Sequence, residues 1–187
     1  GVDLSNVDIT GTILDGVDLS GVNITETLLK RANVDLADRH LDDTNLAGVD
    51  LSGMDLTGTT LTGADFTDTN LTGSDLSGRD LTRTILKGAD LSNTNLTGVD
   101  LSGKDLTGTT LTGANLTDAN LTGVDLSGMD LTDTILRSAD LNGVNLTGTI
   151  LTGANLSSAI LTDVDLSGKD LSYTNLTEAG LSGKDLS

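Results

Sequence analysis

Leucine returns at every fifth position for almost the whole of this chain. From Leu36 to Leu186 the spacing does not break, and only Phe66 stands in for a leucine. Before that run, Leu4, Ile9, Leu14, Leu19, Ile24 and Leu29 keep the same spacing in a shifted phase, so the chain holds 37 five-residue units, 34 of them centred on Leu. A short fixed period is the signature of a solenoid, in which no unit can bury its apolar face without its neighbours. A helix cannot satisfy it, because residues five apart spiral around a 3.6-residue helix and make no apolar stripe.

The remaining positions of the unit say what it builds. With the leucine at position i, i−2 holds small or branched residues such as Val49, Thr59, Ala64, Ala89, Val99 and Ala114. Position i−1 is mainly Asp or Asn, i+1 mainly Ser or Thr, and i+2 most often Gly. Two inward residues separated by one outward residue fit a short extended segment. The Gly, Asn, Asp and Ser that follow suit a turn. There is no Trp, Pro or Cys, with one Tyr and one Phe, so Leu must supply the core almost alone and disulfides and thiol chemistry are excluded.

Pentads such as Ala64-Asp65-Phe66-Thr67-Asp68, Ala89-Asp90-Leu91-Ser92-Asn93 and Ala114-Asn115-Leu116-Thr117-Asp118 resemble the A(D/N)LXX pattern of the pentapeptide-repeat family. The resemblance covers nearly the whole chain. It implies an all-β, right-handed quadrilateral β-helix (solenoid) with four pentads per coil, hence about nine coils and a rod of about 44 Å at the usual strand spacing. Residues 1–187 then form a single repeat domain with no capping helix evident. One phase break interrupts it, a two-residue insertion near 30–35 that fits a bulged corner.

A second period of 25 residues overlies the first. Residues 48–72, 73–97, 98–122 and 123–147 align as blocks, and 48–72 differs from 98–122 at four of 25 positions. On a 20-residue coil each block starts one face further round than the last, which spreads charge over all faces. One expected column reads Asp50, Asn70, Asp90, Thr110, Asp130, Ile150, Asp170. Elsewhere the pairs Asp55/Asp75, Asp80/Asp100, Asp105/Asp125 and Asp165/Asp185 are expected to stack. Met54, Arg79, Lys104, Met129, Lys169 and Lys184 occupy i−2, where the resemblance implies a small inward residue. Their stems are expected to run between coils and snorkel at a corner.

The net charge of -18 argues against direct binding of nucleic acid or an anionic membrane, and no apolar run is long enough to span a bilayer. His40 is the single histidine. The cluster Asp35, Asp38, His40, Asp42 and Asp43 reads as a solvated edge, the Asn-Leu-Thr triplets follow automatically from the pentad pattern, and no nucleotide-binding glycine motif occurs. No catalytic residue, cofactor or metal site is expected. A possible interaction surface comprises Asp50, Asp90, Asp130 and Asp170 with the outward Ile135 and Ile150, whose placement as diagonal neighbours is open.

The chain starts Gly1-Val2-Asp3-Leu4-Ser5 and stops Gly183-Lys184-Asp185-Leu186-Ser187 in mid-pattern, and head to tail the pentad phase would continue. The expected function is a non-catalytic structural β-solenoid, self-associating end to end as a filament subunit or a segment of a longer array. An extracellular or cell-surface setting is favoured over a cytoplasmic one. The alternative, implied by the resemblance, is an acidic DNA mimic that binds DNA gyrase in the manner of quinolone-resistance proteins. About 44 Å of duplex carries about 26 charges, of the same order as this rod. Ice or mineral binding through Thr57, Thr62, Thr112 and Thr117 is a third, weaker reading.

Overall fold

The computed structural model describes residues 36–181, and these form a continuous solenoid of stacked pentads. Parallel bridges join residues 20 apart, from His40–Thr60 and Asn45–Asp65 up to Asn155–Asn175, so four pentads close each coil. The described residues make about seven coils, close to 35 Å at a strand spacing of about 4.8 Å. The expected phase break near 30–35 and both chain ends lie outside the described residues. No helix among the described residues is long and apolar enough to cross a membrane.

Each pentad is a turn followed by an outward i−1 residue, bridged to its neighbour 20 residues away in most pentads. The amide at i+3 returns to the leucine carbonyl, as in Ala64 to Leu61 at 3.0 Å and Thr94 to Leu91 at 3.1 Å. The residue at i+2 has positive φ at every pentad from Asp38 to Glu178, the type II signature. Glycine is therefore common there. Arg83 at 58° and Tyr173 at 61° show that the coil also imposes this conformation on bulky residues.

Backbone donors are satisfied in a fixed order. The amide at i reaches the coil above, as Leu71 does to Asp90 O at 2.8 Å, and i+2 does the same, as Gly73 does to Ser92 O at 3.0 Å. The amide at i−1 reaches the coil below, as Asp90 does to Thr69 O at 2.9 Å. Most of this bonding lies between coils, so the stack is cooperative and a lone coil has no partner for its amides.

Leucines fill the interior. Leu41, Leu71, Leu96 and Leu121 are 0% exposed, and Phe66 fits the same slot at 0%. Buried threonines at i−2 add a polar tie: Thr69, Thr94, Thr134 and Thr149 each donate Oγ1 to the carbonyl of the leucine 23 residues earlier, at 2.7–3.0 Å. Lys104 and Lys169 occupy the same position and make the same contact, their ammonium groups donating to Leu81 O and Leu146 O. Lys104 Nζ also donates to Thr84 O at 3.1 Å. The expected stems between coils are present and half-buried. Their heads, however, bond backbone carbonyls of the coil below. Burial lowers the Lys104 pKa, against the attraction of Asp100 and Asp80.

Replacing Leu96 by Ala should cost about 2–5 kcal/mol, because the rigid coils on either side cannot collapse into the space. Thr94→Val should cost about 1 kcal/mol, since it removes one hydrogen bond and leaves Leu71 O its turn partner. Urea unfolding of the full chain followed by circular dichroism measures both.

Candidate interaction surface

The outward Asp and Asn at i−1 are first of all parts of the backbone. In each, the side-chain oxygen accepts the amide of the residue two further on, closing an Asx turn. Asp50 accepts from Ser52 at 3.0 Å, Asp90 from Ser92 at 3.0 Å, Asp130 from Thr132 at 2.9 Å and Asp170 from Ser172 at 2.9 Å. Asn70 and Asn120 do the same at 3.0 Å. The turn therefore uses an acceptor at i−1 wherever one is present and is indifferent to its charge, while Ile85, Ile135, Ile150 and Ile160 bridge without one. This role explains the Asp/Asn preference more directly than any partner does.

The same bonds set the acidity. The Thr110 hydroxyl, with help from Ser92, holds the Asp90 carboxyl below its ordinary 3.8. The hydroxyl and amide of Thr132 lower Asp130, and those of Ser172 lower Asp170. Asp55 bridges to Asp75 as expected, and its pKa is still lowered: the hydroxyl and amide of Thr57 outweigh the repulsion of Asp75. Asp80 and Asp100 share a column without being bridged, and so do Asp105 and Asp125. Asp185 lies outside the described residues.

The expected surface residues fall as follows. Asp50, Asn70, Asp90 and Thr110 are bridged in one continuous column. Asp130 and Ile150 form a second bridged pair in that column, and Asp170 lies beyond it without a bridge. Ile135 belongs to the next column, between Asn115 and Asn155. Ile85 and Ile160 stand on the other two faces, over Asp65 and Asp140. All four isoleucines are exposed, at 37–49%, one to each face. They are scattered residues of the kind any surface carries.

His40 Nδ1 lies 3.3 Å from Thr60 Oγ1, and that hydroxyl donates to Asp42 at 2.7 Å. Asp42 also accepts the Thr62 amide at 2.8 Å, so the edge is tied to the coil above. Asp38 lies against Gly58, and Asp35 is outside the described residues. Among the described residues no three metal-ligating side chains converge. Two features were not legible from the pattern. Arg83 reaches across Gly63 to Asp43 at 3.4 Å, two coils below, and Tyr173 is 91% exposed. Only the 20-residue coil, once known, puts residues 43, 63 and 83 in one line.

A family model for pentapeptide repeats matches in 8 copies, over residues 1–38, 40–78, 80–113, 105–137, 114–153 and 149–187. No curated protein matches the chain. Among solved structures, HetL, a pentapeptide repeat protein involved in heterocyst differentiation regulation from the cyanobacterium Nostoc sp. strain PCC 7120, is similar at 30% identity. The match covers 98% of this chain and 88% of HetL, with a TM-score of 0.51. The plasmid-mediated fluoroquinolone resistance protein QnrB1 matches at 21% identity over 89% of this chain and 81% of its own, with a TM-score of 0.39. A second Nostoc protein, the pentapeptide repeat protein alr5209, matches at 29% identity over 65% of this chain and 84% of its own, with a TM-score of 0.34.

Carboxylates whose folded pKa is depressed add stability above their unfolded pKa, and that stability is lost as pH falls through the folded values. The triple variant Asp90→Asn, Asp130→Asn, Asp170→Asn keeps every acceptor oxygen. It should fold like the parent at neutral pH and lose less stability on acidification from about pH 5 to about pH 2. Thermal melts across that range would show the shallower acid limb.

Proposed function

The chain belongs to the pentapeptide-repeat family, and from that premise we propose that it is a non-catalytic scaffold that joins end to end, as a filament subunit or as a segment of a longer array. Its coil is taken as right-handed, as the family resemblance implies. The observation that supports the reading is the self-complementarity of the coil. Leucine and i+2 amides point to one rim and donate to the next coil, not to their own, as Leu96 and Gly98 do to Asn115 O and Thr117 O. The i−1 amides point to the other, as Asn95 does toward Ser74. Any coil thus offers one rim what the opposite rim lacks, and every bridge from His40 to Asn175 keeps the same 20-residue register. A contact that translates and does not close generates a filament.

The acidic surface also favours a second reading, a DNA-mimic module that binds a basic partner such as DNA gyrase. The net charge of -18 supports it. Against it, neutral asparagines interrupt the carboxylates on all four faces, and the Asx turns account for their positions.

Sedimentation velocity of the full chain over a wide concentration range, with electron microscopy of the same samples, decides between them. End-to-end joining predicts species that lengthen with concentration at constant width. Discrete monomers or closed dimers at every concentration would exclude it, and inhibition of gyrase supercoiling by those monomers would support the mimic.

A further inference from the structure

The inter-coil ladder is not uniform. Among the described residues, the rungs 60–80, 80–100, 85–105, 105–125 and 110–130 form no bridge and no backbone hydrogen bond joins them, and further up 145–165, 150–170 and 160–180 are also unbridged. The rungs around them, such as 65–85, 70–90, 95–115 and 100–120, are formed. Each of the first five contains a residue next to Arg79, Lys104 or Met129, long side chains at i−2, while rung 130–150 above Met129 and rung 40–60 beside Arg39 are bridged. Rung 55–75, beside Met54, keeps its bridge but has no backbone bond that reaches normal geometry.

The cause is steric and then electrostatic. A coil spacing of about 4.8 Å holds Ala, Val or Thr at the inner corner. A longer stem competes for that space: beside Arg79 and Lys104 the rungs both below and above are open, whereas Met129 opens only the rung below it and Ile150 still donates to Met129 O at 3.0 Å. Lys104 shows the exchange directly. At the equivalent corners Thr69 O and Thr94 O accept the amides of Asp90 and Asn115. Thr84 O instead accepts the Lys104 ammonium, and the Asp105 amide is left without its rung. Shallow grooves follow the parted coils: one of about 250 Å³ between Arg79 and Lys104, one of about 380 Å³ between Lys104 and Met129. Both have polar walls and admit water to the released amides.

Met54, Arg79, Lys104 and Met129 are 25 residues apart, one on each face of a 20-residue coil. The open rungs therefore climb as they turn: 60–80–100 on one face, 85–105–125 on the next, 110–130 on the third. We propose that these positions form one continuous spiral seam, a built-in line of compliance along which the rod opens, bends and takes up water before the bridged rungs beside it yield. The 25-residue sequence repeat is then what sets the path of the seam, and the 20-residue coil converts that repeat into a spiral. At the next place in the series Ala154 stands and the bridge Ile135–Asn155 is formed, so the spiral ends there; the unbridged rungs 145–165, 150–170 and 160–180 lie off it, 150–170 beside the long side chain of Lys169.

Hydrogen exchange on the full chain tests this, because the chain carries its own controls. Leu81, Leu86 and Leu106 lie on the seam; Leu91, Leu96 and Leu121 do not. All six are leucines at the same pentad position and at most 2% exposed. The seam amides should exchange on the order of 100-fold faster, as sites of local opening do relative to amides released only by global unfolding. Lys104→Thr places at the corner the residue that elsewhere fits and bonds the leucine 23 back. It should restore protection at Leu86 and Leu106 and leave Leu81 fast. Arg79→Thr should do the converse, slowing Leu81 and leaving Leu106 unchanged. Equal protection of all six leucines in the parent chain would overturn the proposal, as would a Lys104→Thr effect spread evenly over the three seam leucines.

Discussion

The structure depends on one requirement: the amides at i, i+2 and i−1 must find their acceptors in the coil above or below. Bonds confined to a pentad satisfy only the turn amide and the amide held by the Asx oxygen. Everything else follows from stacking. The coils must share one path, so the turn must be the same at every corner, and the i+2 residue adopts positive φ whether it is Gly123, Asp118 or Tyr173. The spacing between coils is set by backbone hydrogen bonds, so the interior is a channel of fixed height into which side chains must fit. Leucine lying flat at i and a two- or three-atom side chain at i−2 fill it.

The leucine period and the turn-forming residues were legible because each expresses a local rule at every repeat. The four-pentad coil was not visible in the residues themselves and came from the family resemblance; the bridges from His40 to Asn175 place it directly. Asp50, Asp90, Asp130 and Asp170 were legible as a column, but not as parts of the turn. A sequence displays their charge, whereas their bond to the amide two residues on appears only once the turn is built. Asn70 within the same column carried the clue, since a residue valued for charge would not alternate with its neutral isostere. The Arg83–Asp43 pair is invisible to local reasoning, because its partners are 40 residues apart and meet only through two coil rises.

Separating acceptor from charge has a consequence for what such a rod can be used for. Each i−1 position tolerates Asp or Asn with the same backbone geometry, so net charge can vary widely without altering the scaffold. A charge of -18 is therefore permitted by the fold and not produced by it. The likeness to HetL concerns the fold at a TM-score of 0.51, and the charge pattern of this chain stands apart from that likeness. A partner selected by charge would have to read how Asp and Asn alternate along a face. On this rod every face carries both, together with one exposed isoleucine.

The long residues at i−2 connect the two periods. Spreading charge accounts for a 25-residue block on a 20-residue coil, but it does not explain why a lysine or arginine should enter a channel of fixed height. Stacked in one column, Arg79 and Lys104 would part successive coils on the same face and bend the rod toward the opposite side. Placed one face further round at each step, they part the ladder on different faces at different heights, and the distortions are distributed around the axis. At each height where one face is open, others hold: rung 100–120 is formed beside the open 85–105 and 105–125, and 95–115 beside them. The precession thus lets the stack tolerate inward charges that a 20-residue repeat would concentrate on one side. The ladder that builds the rod also limits how those residues can be arranged within it.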